Sequence, residues 1–273
     1  MTHARAFAAL TSSVAVELAD DIAPAPRALI DLLLAGYPDT TEPSAFAYQL
    51  AAGAMTAVGR HVEPVREPID LAPLFELDLY QQLAERAAPG WLLHAAALER
   101  GGRAFVFAGP SGAGKTSLTL ALIARGWRLV TEEMALVDRD LSVRGLARPI
   151  HTAADGPERA ALPASWPSLE YPLRRADGVE HRAIAQPPRD VRAYGPLPLA
   201  AIARIDHAPD RPAQLARLPA HASLPRLWDA TLRQDDDGLA AAVAICAARP
   251  AWSLESSSVE AAADLADQLA SSI

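Results

Sequence analysis

A chain of 273 residues, 51% of them hydrophobic, has enough apolar material to fill one large domain or one domain plus a small one. Its formal charge of −8, with no basic stripe interleaved with aromatics, argues against a nucleic-acid binder. The lone Cys246 excludes an internal disulfide and a thiolate metal cluster, and it fits a reducing cytoplasm.

Met1–Asp21 is Ala-rich but lacks the compact apolar core and cleavage pattern of a signal peptide. The longest apolar runs, such as Leu239–Ala248, fall well short of the about 20 residues that cross a bilayer. The expectation is therefore a cytoplasmic protein without membrane association. The first 26 residues are mixed, with a strand expected at Ser13–Leu18 and a break at Pro24 and Pro26. Arg27–Leu34 reads as a short helix ended by Gly36, and Phe46–Gln49 and Met55–Val65 as strands of a small sheet. Asp70–Ala88 is the best N-terminal helix, with Leu71, Leu74, Phe75, Leu79 and Leu83 near one face, and Pro89-Gly90 stops it. Residues 1–88 thus read as a small α+β region of unassigned role, and residues 89–273 as a second domain.

Trp91–Leu98 is an apolar run interrupted by His94. Glu99-Arg-Gly-Gly102 is a hairpin-type turn into the buried strand Ala104–Ala108. Then come Gly109, four residues, Gly114, Lys115 and Thr116, followed by a helical pattern to Arg125 and a closing Gly126. Strand, glycine-rich turn and helix are the context that a phosphate-binding P-loop requires. Gly109, Pro110, Ser111, Gly112, Ala113, Gly114, Lys115, Thr116 and Ser117 form the expected cradle for ATP. The glycines let backbone N–H groups face a phosphate, and the helix start adds its dipole. Lys115 supplies a point charge for the β- and γ-phosphates, and the Thr116 hydroxyl suits Mg2+. Lys115 is the only lysine in the chain; every other strong base is arginine.

Trp127–Thr131 reads as the next strand, and it runs straight into Glu132-Glu133. An acid at a strand end near a P-loop can hold magnesium through water, and a second can take a proton from an attacking hydroxyl. An exposed acidic turn is the plainer alternative. Asp206, at the end of the strand Leu199–Ile205, ranks second as a metal-side acid. On its own, His94 reads as a core histidine; it gains a role if strand 91–98 lies beside the P-loop strand. His151, His181 and the arginines Arg144, Arg148, Arg174, Arg175 and Arg192 are lesser candidates. Ala135–Val137 leads into a turn at Asp138-Arg-Asp140, and residues 151–198 read as mostly loop with short elements. A helix is expected near Leu224–Leu232, a buried helix at Leu239–Ala248, a strand at Ala251–Leu254 and an amphipathic helix at Val259–Ala270. No internal repeat is visible.

The run from Leu93-His94 through Arg103-Ala-Phe-Val-Phe-Ala-Gly109-Pro-Ser-Gly-Ala-Gly-Lys-Thr116, then Ala124-Arg-Gly-Trp-Arg-Leu-Val-Thr-Glu-Glu133, resembles the catalytic core of the HPr kinase/phosphorylase family. It is more similar still to the smaller HPr-kinase-related proteins. Histidine, P-loop, a helix ending Arg-Gly and a strand ending in two acids occur in that order at matching spacing. Ala147–Ile150 and Leu199–Ile205 echo the related group more weakly. The family pair is usually Asp-Asp or Asp-Glu where this chain has Glu132-Glu133. The segment Glu-Ile-Arg-Gly-Leu-Gly of the HPr kinases proper is missing, with Arg144-Gly-Leu146 a fragment of it at another distance.

The resemblance implies an α/β fold: a P-loop kinase domain whose mixed sheet resembles that of phosphoenolpyruvate carboxykinase, rather than a doubly wound one. It implies that Lys115 and its loop bind ATP, that Glu132 is the base toward an acceptor serine with His94 beside it, and that Thr116 with one of the acids, assigned to Glu133, holds magnesium; the division of roles between the two acids is left open. The expected activity is a serine kinase acting on a small protein or peptide, and a homo-oligomer is left open. Two alternatives stand beside it. One is a kinase of a small alcohol such as free serine; the other is a nucleotide-gated peptide-binding module that transfers nothing.

Overall fold

Buried Phe7 and Ala9, together with Val14, Val16 and Leu18 at every second position, build a hairpin where composition alone suggests an irregular start. The computed structural model describes residues 2–57, 60–61, 65–175, 177–208, 210–249 and 251–273. Strands β1 (Thr2–Ala9) and β2 (Ser12–Ala19) pair antiparallel, and Leu10 takes a left-handed φ of 52° in the turn. Helix α1 (Pro24–Leu34) starts with proline in its first turn, where no backbone donor is lost. Strands β3 (Phe46–Ala51), β4 (Ala54–Ala57) and β5 (Arg60–His61) complete a five-stranded sheet in the order β1-β2-β3-β4-β5. Of the predicted strand Met55–Val65, positions 58–59 and 62–64 lie outside the described residues. Helix α2 (Leu71–Arg86) buries Leu71, Phe75, Leu79 and Leu83, and Phe75 meets Tyr48 of β3 edge-on at 5.1 Å.

The chain continues through β6 (Gly90–Arg100), β7 (Arg103–Ala108), α3 (Lys115–Ala124), β8 (Arg128–Thr131), β9 (Met134–Asp138) and β10 (Ser142–Gly145). Next come β11 (Ile150–Ala153), the short α4 (Pro157–Ala161), β12 (Ser168–Arg175) and β13 (Gly178–Ala185). The C-terminal part holds β14 (Leu197–His207), β15 (Gln214–Arg217), α5 (Ala220–Leu227), α6 (Asp236–Ala248), β16 (Trp252–Ser256) and α7 (Val259–Ser272). These elements fall into two units, Met1–Arg86 with Ala147–Pro187, and Ala87–Leu146 with Pro188–Ile273. No helix among the described residues is long and apolar enough to cross a membrane.

Residues 151–198, expected to be mostly loop, instead contribute a three-stranded antiparallel sheet, β11-β13-β12, to the first unit. The signal was hidden because β12 is an edge strand. It tolerates Pro172 and carries Glu170 and Arg174, so apolar alternation is broken where solvent covers one face.

Beneath that sheet Glu76 of α2 lies 3.1 Å from Arg148 Nη2 and 2.9 Å from His151 Nε2, and Tyr171 Oη lies 3.4 Å from His151 Nδ1. Burial alone would raise the Glu76 carboxyl, but Arg148 and His151 outweigh it and hold the group at about 2. Burial pushes His151 below the ordinary imidazole value and lifts Tyr171 to about 12.

The second unit is a mixed α/β layer. Its eight-stranded sheet runs β10-β9-β6-β7-β14-β16-β15, with β8 also on β6. β14 is parallel to β7 and to β16, whereas β6 is antiparallel to β7. β10 pairs with β14 as well as β9, so the path β6-β9-β10-β14-β7 closes on itself. One face buries Val106, Ile202 and Leu93 against Leu227 of α5 and Ala241, Ala242 and Ile245 of α6. The other buries Phe105, Phe107 and Ile205 against Leu118 and Leu122 of α3 and Ala263, Ala266 and Leu269 of α7. Glu99 pins the β6–β7 turn by accepting from Gly102 N at 2.6 Å, and it binds Arg128 of β8 at 2.5 Å.

Glu76→Gln removes the counter-ion of Arg148 and is expected to lower the stability of the first unit by about 3 kcal/mol, measured by urea denaturation. In the wild type the Glu76 contribution is complete above the unfolded value of 4.5 and disappears as pH falls toward 2. His151 acts in the same direction from higher pH, because below 6.5 the unfolded chain takes up a proton that the folded histidine resists. Stability of this unit is therefore expected to decline on acidification from about pH 6.5, and denaturation curves between pH 7 and pH 4 check it.

Candidate active site

The P-loop sits where β7 ends and α3 begins. Gly109 has no room for a side chain, because a Cβ there would lie 2.9 Å from the Ile205 carbonyl oxygen of β14 and 3.1 Å from Ala113 Cβ. The loop is thus pressed onto the neighbouring parallel strand at its first residue. Gly112 (φ 80°) and Gly114 (φ 88°) occupy the left-handed region, and Gly114 is the N-cap of α3. No side chain caps the first turn of α3, in contrast to Asp235 on α6 and Ser258 on α7. A helix start left in this way presents N–H donors and the positive end of its dipole to an anion.

Lys115 is buried, and its Nζ donates to the carbonyl oxygens of Gly109 (2.9 Å) and Pro110 (3.1 Å). Its third N–H is uncommitted among the described residues. Burial lowers the lysine from its ordinary value, opposed by the charges of Glu133 and Glu132; Arg204 lowers it and Asp229 raises it further.

The two acids occupy a break between β8 and β9. β6 runs alongside both strands, pairing Ala97 with Thr131 and His94 with Met134, while Ala95 N donates to Glu133 O at 3.1 Å across the break. The Thr131 hydroxyl accepts from Met134 N at 3.3 Å and closes the bend. The side chains diverge. Glu132 is buried and accepts a 2.5 Å hydrogen bond from Thr116 Oγ1 of α3, whereas Glu133 Oε1 lies 3.1 Å from His94 Nε2.

His94, Lys115, Thr116, Glu132 and Glu133 are thus brought to one end of the sheet. The pairing within the group runs opposite to the expected assignment, with Glu132 on Thr116 and Glu133 on His94. His94 is a partly exposed residue with an acidic neighbour rather than a core histidine.

Asp206 faces Arg204 (3.2 Å) and Arg226 (3.9 Å). Arg144 pairs with Asp138 at 3.1 Å, and Arg148 and Arg174 pair with Glu76 and Asp70 within the first unit. Arg192 is buried beside Leu129 of β8. The Arg204–Asp229 pair was missed. Asp229 lies in a segment without periodicity, and Arg204 sits in an apolar strand where a single charge gives no local signal.

No cluster of three or more His, Cys, Asp or Glu side chains suited to a metal occurs among the described residues. Magnesium does not need one, since it keeps several waters and takes one or two protein ligands plus phosphate oxygens. The Thr116 hydroxyl and the Glu132 carboxylate, already in contact, fit that modest donor set. The chain matches no known protein-family model and no curated protein.

Gly114→Ala forces a side chain into the left-handed region and is expected to cost about 1–2 kcal/mol. Gly109→Ala is expected to cost at least as much, since the clash is with backbone of β14. Chemical denaturation of both variants checks the loop geometry without reference to any ligand.

Proposed function

We propose that the second unit is an ATP- and Mg2+-dependent kinase that transfers the γ-phosphate to a hydroxyl, most simply a serine on a small protein or peptide. The observation that carries this reading is the Thr116–Glu132 hydrogen bond, which joins the P-loop helix to the acid bend one strand away. It is supported by the resemblance of Leu93–Glu133 to the HPr-kinase-related proteins and by a mixed sheet of the kind expected for phosphoenolpyruvate carboxykinase-like P-loop enzymes.

The residues divide the work by position. Backbone N–H groups of 109–116 and the Lys115 ammonium hold the β- and γ-phosphates. Thr116 and Glu132 form the metal side, where magnesium, when bound, neutralises phosphate charge. Glu133, with His94 beside it, faces the acceptor. The hydroxyl oxygen bonds to phosphorus as the bond to the bridging oxygen of ADP breaks, and the hydroxyl proton passes to Glu133. Most of the acceleration comes from holding these groups in line and from fixed charge rather than from covalent chemistry. A glutamate pair places each carboxylate about one methylene farther from the backbone than aspartates do. The missing Glu-Ile-Arg-Gly-Leu-Gly segment favours an acceptor other than HPr, and ATP as donor fits a cytoplasmic setting.

Lys115→Ala is expected to lose MgATP binding in calorimetry. Glu133→Gln is expected to keep binding and to lose label transfer from γ-labelled ATP to serine peptides by about 10²–10⁴-fold. Lys115→Ala that binds as wild type removes the P-loop from the account. Label recovered on free serine instead of peptide makes the acceptor a small molecule.

A further inference from the structure

The acid bend flanks the P-loop on the β6 side, and a second charged group, so far without a role, flanks it on the β14 side. Arg204 lies opposite Ala108 in the β14–β7 register, one residue before Gly109. Its side chain is only 13% exposed and is fixed by three acceptors. Nε donates to Asp206 Oδ1 at 3.2 Å, and Nη1 donates to the Arg226 carbonyl oxygen at 2.8 Å and to Asp229 Oδ1. Asp229, in the turn after α5, is half-exposed. It also acts on the charge of Lys115, as Arg204 does. A guanidinium held this way cannot lose its proton and loses little side-chain freedom when an anion arrives.

Resting on the kinase reading above, we propose that Arg204 is a positioning residue of the phosphate site: it neutralises Asp206 and Asp229 beside the P-loop, so that the only cation inside the loop, Lys115, meets the triphosphate without opposing negative charge. Without Arg204 the Asp229 carboxylate on the β14 flank would lose its partner and Asp206 would keep only Arg226, 3.9 Å away, in addition to Glu132 and Glu133 on the other flank. A triphosphate entering between two acidic walls is repelled, and in a partly buried site that repulsion is poorly screened.

The test is a charge-rescue cycle read by MgATP calorimetry on the full chain, with circular dichroism to verify folding. Arg204→Gln is expected to weaken MgATP binding by about tenfold. The double variant Arg204→Gln/Asp229→Asn, which removes the unpaired negative charge, is expected to recover to within about threefold of wild type. A role limited to packing predicts no recovery, since the second substitution adds no contact. Equal binding by wild type and Arg204→Gln overturns the proposal, as does a double variant no better than the single one. Should Arg204→Gln fail to fold, Asp229→Asn alone at its half-exposed position is expected to tighten MgATP binding severalfold, and unchanged or weaker binding overturns the proposal. Wild type that binds no MgATP defeats the kinase reading itself, whereas wild-type binding that Arg204→Gln matches defeats only the role of Arg204.

Discussion

The interruption between β8 and β9 organises this site. A continuous strand alongside β6 would send consecutive side chains to opposite faces of the sheet and keep at most one acid near the P-loop. Here the ladder is held on both sides of the break, by Ala97–Thr131 and His94–Met134, while the bend closed by Thr131 turns both carboxylates toward the end of the sheet. Glu132 then reaches the helix that follows the loop, and Glu133 reaches the strand on its other side. Two identical side chains acquire different surroundings, one buried against a hydroxyl and one half-buried against an imidazole. Separation of roles between adjacent acids needs that kind of environmental difference.

The rest of the second unit serves to keep the loop, the bend and β14 in fixed relation. β14 is the centre of the parallel part of the sheet, and its backbone at Ile205 presses on Gly109. α3 and α7 cover the face that carries the edge-to-face Phe105–Trp127 pair, whose centroids lie 5.1 Å apart. Arg125, just past the end of α3, binds Asp264 and Asp267, and Trp127 Nε1 donates to the same Asp267 at 2.8 Å. These exposed ion pairs add little stability singly. Their value is directional, because they fix the far end of the helix whose first turn faces the site.

What could be read from residues alone was whatever has a local cause. The strand–loop–helix unit is local: apolar run, glycines at left-handed positions, helical spacing. So is the β6–β7 hairpin, announced by Gly101-Gly102, and the amphipathic α7. Sheet order is not local. That β6 runs beside both β7 and β8, which decides whether His94 can meet an acid, follows only from long-range pairing. β10 and β15 are four-residue strands with no periodicity to detect, and β12 carries proline at an edge. The acid pair was visible as a pair, but the neighbour each member meets depends on the bend, which puts Glu132 on Thr116 and Glu133 on His94 where the resemblance implies Glu132 beside His94. Asp206 was visible as a strand-end acid, while Arg204, two residues earlier, gave no sign of being its partner.

The distribution of cations closes the argument. In a chain where arginine fills nearly every basic position, the single lysine sits inside the glycine loop and the partly buried Arg204 sits just outside it. The loop offers two backbone carbonyls at 2.9 and 3.1 Å to one small ammonium group, a geometry that a planar five-donor fork does not fit. On β14 the need is the reverse. Two carboxylates and a carbonyl from different elements must be held by one side chain, and a fork does that where a point charge on a flexible stem would choose among them. Each cation stands where its own shape is required, so exchanging lysine and arginine between the two positions would conserve net charge and lose both geometries.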